Sequence, residues 1–151
     1  MPEQETIERA REDKREGKSA STQAGEFVRE EMEHIREGKH GARSSKQAIA
    51  IGLSKARRAG VRLPAPKKNG ASSRTRRQAK RDLKKGRTSA RRKPSRTRSR
   101  AATRALRREG RSAASRRALS RQARSAARSR TRVQRSASAK KAARTRARRS
   151  R

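Results

Sequence analysis

The chain has no cysteine, tryptophan or tyrosine, and Phe27 is its sole aromatic residue. The lack of cysteine excludes disulfides and thiolate metal sites and fits a cytosolic protein. The lack of aromatics argues against single-strand binding, which normally uses stacking platforms, and against the RNA-reading sheet domains. No apolar run reaches 18 residues, so no membrane span is expected. The start, "MPEQETIERA", is polar and acidic and lacks the apolar core of a secretory signal. Apolar side chains make up only 27% of the 151 residues. Such a chain cannot bury enough surface along its whole length to offset the entropy of ordering.

Acid is scarce too, but only in one half. Residues 1–63 hold 14 basic and 11 acidic side chains, whereas residues 64–151 hold 35 basic and two acidic, Asp82 and Glu109. The formal net charge is +36. The change falls at "VRLPAPKKNGASS", where Pro64 and Pro66 disfavour helix in the residues before them. The expected organisation is a small helical domain over 1–63, a Pro/Gly/Ser linker over 64–73 and a basic low-complexity tail over 74–151.

Three helical segments are expected in the first part. Glu3 to about Glu16 is nearly all charged, with only Ile7 and Ala10 able to pack, so this helix should be frayed or conditional. The second begins at Ser21 or Thr22 as N-cap. It carries Ala24, Phe27, Val28, Met32 and Ile35 at helical spacing and ends before Gly38. The third opens with a capping box, Ser44-Ser45-Lys46-Gln47. Its stripe is Ile49, Gly52, Leu53 and Ala56, with Gly52 small enough to admit a neighbouring helix. Gly60 and Val61 suit a Schellman ending. The second and third segments should form an antiparallel helical hairpin across "GKHGAR". The fold class is thus mainly α, with a marginal hairpin aided by its ligand or by association as a homo-oligomer.

The tail is Arg, Ala and Ser, with one local repeat, "RALRREGRSAA" at Arg104–Ala114 and "RALSRQARSAA" at Arg117–Ala127. Leu83, Leu106, Leu119 and Val133 are too few for a core. Ala and Arg form helix readily, but like-charge repulsion opposes it. The tail should be disordered alone and partly helical on a polyanion.

Cation density of this kind points to nucleic acid. Guanidinium forks match phosphate oxygens, and small Ala and Ser spacers let the chain follow a backbone. The candidate contacts are Lys39, Arg43 and Lys46 around the start of the third helix and Arg57 and Arg58 at its end. In the linker and tail they are Arg74, Arg76, Arg77, Lys80, Arg81, Lys84, Lys85, Arg91, Arg92, Arg107, Arg108, Arg116, Arg117, Arg148 and Arg149. Free amides at the third helix's N-terminus would favour an anion. Lys46 and Gln47 stand where helix-turn-helix proteins read bases, but "GKHGAR" is longer than that motif's turn.

No catalytic, cofactor-binding or metal site is expected. Glu30, Glu33, His34 and Glu37 share one helix flank with His40 near, but the spacing matches no zinc signature and an exposed acidic face accounts for it. No glycine loop has the spacing that cradles phosphates. No base is placed to activate the many serines, so the chain is not expected to be an enzyme or to take a small-molecule substrate.

The segment "STQAGEFVREEMEHIREGKHGARSSKQAIAIGLSKARRAGVRLPAP" resembles a family of small basic bacterial proteins of unknown function, which share the GKHGARS-KQAIAIGLSKARRAG core. The resemblance covers about Thr6 to Lys68 and implies a bacterial cytosolic origin, without an activity. The tail is similar in composition to bacterial histone H1-like proteins, though arginine-rich where those are lysine-rich. The expected function is non-specific, phosphate-led DNA binding in the cytoplasmic nucleoid, with duplex DNA favoured over RNA. The alternatives are an RNA- or ribosome-associated protein and a protein-binding adaptor localised by its tail.

Overall fold

The computed structural model describes residues 2–88 and 95–149. Seven α-helices and no strands occur among them: α1 Gln4–Arg15, α2 Ala20–Arg36, α3 Ser45–Arg58, α4 Ser73–Arg87, α5 Arg96–Arg107, α6 Arg116–Arg128 and α7 Arg132–Arg149. Short 3-10 turns stand at Lys68–Gly70 and Ser112–Ala114. The chain forms two compact units, residues 1–115 and 116–151.

The ends of α1, α2 and α3 share one chemistry. Gly17, Gly38 and Gly60 take positive φ angles of 70°, 80° and 100°. In each case the next residue's amide turns back to the third-last helical carbonyl: Lys18 to Asp13 at 2.8 Å, Lys39 to His34 at 3.0 Å and Val61 to Ala56 at 3.1 Å. These are Schellman endings, which satisfy carbonyls the helix leaves open. At the other ends, Ser19 caps α2, two residues before the expected position, and Ser44 caps α3. The α3 start forms with half of the expected capping box: Gln47 N donates to Ser44 Oγ at 3.2 Å, but the Gln47 side chain reaches one residue further back, accepting from Arg43 N at 2.8 Å.

The hairpin of α2 and α3 forms, with Gly52 at its crossing. A Cβ there would stand 2.7 Å from Val28 Cα and 2.9 Å from Phe27 O, so the helices approach to backbone contact. The core around it joins Ala10, Ala24, Phe27, Ala56 and Val61, with Ile7, Leu53 and Leu63 packed against them. Helix α1 is part of this body and not a frayed appendage. Thr6 and Ala10 are buried beside α2, and Arg9 Nε reaches Glu26 at 2.9 Å.

The principal correction concerns the basic half. A hairpin followed by a disordered tail is not what the structure contains. Residues 61–67 form no helix or strand, and α4 then packs on α3. Ala79 and Asp82 are buried in that contact, and Gly86 lies so close to Arg57 O that any Cβ would collide with it. Farther along, residues 106–114 return to the α2–α3 corner. Gly41 N donates to Leu106 O at 2.9 Å and Ala42 N to Gly110 O at 3.1 Å. Ser45 Oγ donates to Ala113 O at 2.6 Å, and Arg36 Nε to Ala114 O at 3.2 Å. Ala113 and Ala114 are buried there. The first unit therefore continues 52 residues beyond Leu63, to Ser115. Small side chains and main-chain hydrogen bonds hold this segment, which is why a search for large apolar residues does not find it.

In the second unit, α7 opens with a capping box of its own. Gln134 N donates to Thr131 Oγ1 at 3.2 Å, and Thr131 N to Gln134 Oε1 at 3.1 Å. Val133 is the exposed large hydrophobic residue of the described chain. The hairpin's own apolar stripe is covered within the first unit, with Phe27 and Ile35 fully buried. Val28, Ile49, Ile51 and Leu53 of the same hairpin are half-buried.

Candidate nucleic-acid interface

Helix α4 sorts its residues by face. Ser72 caps it, accepting from Thr75 N at 3.2 Å. Arg76, Ala79, Leu83 and Gly86 recur at three- and four-residue steps and turn toward the body, as does Asp82. Arg74, Arg77, Lys80, Arg81, Lys84 and Lys85 are exposed on the rest of the surface. The first four line one open concavity. None of the six pairs with a carboxylate among the described residues. An uncompensated row of this kind on a helix presents point charges and guanidinium forks to solvent, where phosphate oxygens are the best-matched ligand.

The acids of the basic half lie where that half meets the rest. Asp82 is 1% exposed; its Oδ1 stands 3.7 Å from Arg58 Nε and accepts from Gln78 Nε2 at 3.1 Å. Glu109 Oε1 stands 3.8 Å from Arg43 Nε. Both acids face cations of α3 or its leading loop, so neither offsets the outer row.

The expected contact residues divide accordingly. Arg107, Arg108, Arg116, Arg117 and Arg148 are exposed, as is Lys46. Lys39 is half-exposed but bridges Glu3 at 3.2 Å and Glu37 at 3.0 Å, and those two partners, Glu37 foremost, raise its pKa. Arg58 also donates to Ser54 O. Arg57 is the clear correction. It is 6% exposed, and its Nε and a terminal nitrogen donate to Leu63 O and Pro64 O, both at 3.2 Å. Burial lowers its pKa, against the pull of Asp82. It fastens the run that follows α3 to that helix and faces no ligand. Arg76 is half-buried, with its Nε enclosed. Arg91 and Arg92 lie outside the described residues, as does the Arg149 side chain.

The loop ahead of α3 spends its own amides inside the unit. Gly41, Ala42 and Arg43 N–H groups donate to Leu106, Gly110 and Gln47. The loop is a receptor for the returning chain.

A second cluster lies inside the first unit, and it corrects the reading of α2's flank as an exposed acidic face. Glu30 and Glu31 are 2% and 0% exposed. Lys55, also mostly buried, reaches Glu30 Oε1 at 3.1 Å and Glu31 Oε2 at 2.7 Å. His40 Nε2 stands 3.3 Å from Glu31 Oε1, and His34 Nε2 2.8 Å from Glu3 Oε1. Glu33 and Glu37 do stay at the surface. Sequence reading missed Glu31 and Lys55. Their signal was the shared helical face: Glu31 precedes Ile35 by four, and Lys55 follows Gly52 by three.

Residues 11–69 match a family described as a family of unknown function (DUF6496). That stretch contains α2, α3 and the loop between them. No curated protein and no solved structure matches the chain. No described helix is long and apolar enough to cross a membrane.

Proposed function

We propose that the protein binds duplex DNA without sequence preference, through phosphates, as a nucleoid-associated protein does. The observation that carries this reading is the outer row of α4, where six cations stand exposed while the segment's one acid, Asp82, is turned inward. Residues 116–151 extend the same chemistry with 15 cations and no acid. Such a surface gains affinity by releasing condensed counterions, a sequence-independent effect. Two arrays, one fixed on a folded body and one on a separate unit, would let one molecule touch two stretches of duplex. The near-absence of aromatics favours duplex over single strands.

Fluorescence anisotropy with several unrelated duplexes, at salt concentrations from about 50 to about 500 mM, tests the proposal. All duplexes should bind alike, and log K should fall linearly with log salt, by about 0.9 for each phosphate neutralised. Salt-independent binding, or a single preferred sequence, would refute it. Structured RNA competing better than duplex DNA at equal salt would move the assignment to an RNA-associated protein.

A further inference from the structure

The buried carboxylate–imidazole cluster presents an arrangement that a proton-poor set of side chains does not satisfy by itself. His40 Nδ1 lies 3.2 Å from Gly41 O. A carbonyl only accepts, so Nδ1 carries a proton, and in a neutral ring Nε2 then has a bare lone pair. That lone pair faces Glu31 Oε1 at 3.3 Å. The Glu31 side chain is 1% exposed, and its Oε1 receives no hydrogen bond. With the ring neutral, two acceptors face each other in a buried place, and a proton on Nε2 or a cation between them would satisfy both. His34 Nε2 donates to Glu3 Oε1 at 2.8 Å, and its Nδ1 lies 4.0 Å from Glu30 Oε1. One ligand atom from each of Glu31, His34 and His40 lies within 4.8 Å of the others.

We infer that Glu31, His34 and His40 form a binding site for a first-row transition-metal dication of the zinc class. Two imidazoles and one carboxylate are a donor set such ions favour, a water commonly completing the coordination. Each imidazole already has one nitrogen held by an acceptor, Gly41 O or Glu3, as metal-bound histidines usually do. Lys55 holds the other oxygen, Oε2, and Glu30, leaving Oε1 for the ion. The ion would tie α2 to the loop that receives the returning chain, in a body with few large buried side chains. Small folds often use a metal in this way.

The chain makes the test clean, because His34 and His40 are its only histidines and it has no cysteine. Full-length, chelator-stripped protein is titrated with ZnCl2 by calorimetry and with CoCl2 by visible absorption. One equivalent should bind per chain, with Co2+ absorption bands of a four- or five-coordinate nitrogen–oxygen site. His40→Gln and His34→Gln should each weaken binding by about 100-fold or more, and Glu3→Gln by about 10- to 100-fold. Glu33→Gln should change nothing. Should the histidine variants unfold, 15N spectra of the wild-type imidazoles provide the same decision, since Zn2+ should move the resonance of one nitrogen in each ring. Absence of saturable binding, binding that survives both histidine replacements, or imidazole spectra indifferent to Zn2+ would each overturn the site.

Discussion

Residues 64–115 and 116–151 are alike in composition and differ in what they hold on to. Both are rich in arginine, alanine and serine. The first has two acids and a glycine, Gly86, set tight against the α3 backbone, and it is built into the helical body. The second has no acid and forms a unit of its own. A basic low-complexity segment is thus not bound to one structural fate. A few uncharged or acidic positions decide whether it docks: Ala79, Asp82, Gly86, Glu109, Ala113 and Ala114. The surrounding arginines then remain free to face outward.

The comparison can be broken at several points. Removing residues 116–151 should have the largest effect. It should reduce DNA affinity by orders of magnitude at low salt, and the salt slope should drop by about 0.9 for every phosphate that is no longer neutralised. The thermal unfolding of the first unit should stay where it was, as calorimetry can check. Replacing Arg74, Arg77, Lys80 and Arg81 together by Gln should lower the salt slope by about 3 to 4, again by anisotropy, with the helix content unchanged in circular dichroism.

Asp82→Arg separates charge from placement. It raises the net charge by two and puts an unpaired cation into a buried position, which costs several kcal/mol when nothing compensates, about 3–5 in measured cases. The α4 contact should open, seen as faster amide exchange at α4, while DNA affinity should not fall. Gly41→Val should loosen the other contact, since a Cβ there would stand 1.9 Å from Glu109 O. Overpacking of this kind costs about 1–3 kcal/mol, and a lowered melting temperature is the readout.

The smallest effect comes from the tether between α1 and the α2–α3 corner. Hydrogen bonds from His34 and then Lys39 hold the Glu3 carboxylate below its ordinary 4.5. Its contribution is therefore complete above that value and fades as pH falls through the folded value. Lys39 is shifted upward from 10.5, so its share is complete below 10.5 and is lost as pH rises past the folded value. Glu3→Gln should flatten the acid limb of a stability–pH curve measured by urea unfolding.

Much of the first 63 residues was legible because helix ends are written in local chemistry. Ser44 with Gln47 specifies a start, and Gly60 with Val61 specifies a stop, whatever lies around them. Gly52 was readable as a crossing point for the same reason. The docking of residues 64–115 was not legible. Its contacts use alanine and glycine, which look like spacers, and carbonyl groups, which every residue has. Arg57 shows the same limit from the other side. Its sequence setting is a basic helix end, yet its guanidinium is folded inward by carbonyls six and seven residues on, and nothing local announces that. Among the candidate contacts, the outer positions of α4 were recoverable from clustering alone. The division of α4 into an inner and an outer face needed the partner helix.

The clasp at Gly41 and Ala42 grips peptide groups of Leu106 and Gly110, and between them only Glu109 meets the loop through its side chain, at Arg43. Arg107 and Arg108, both exposed, can thus be exchanged for lysine, glutamine or alanine, and the knot of main chain stays tied. The charge of this surface can thus be retuned, one cation at a time, without rewriting how the chain folds.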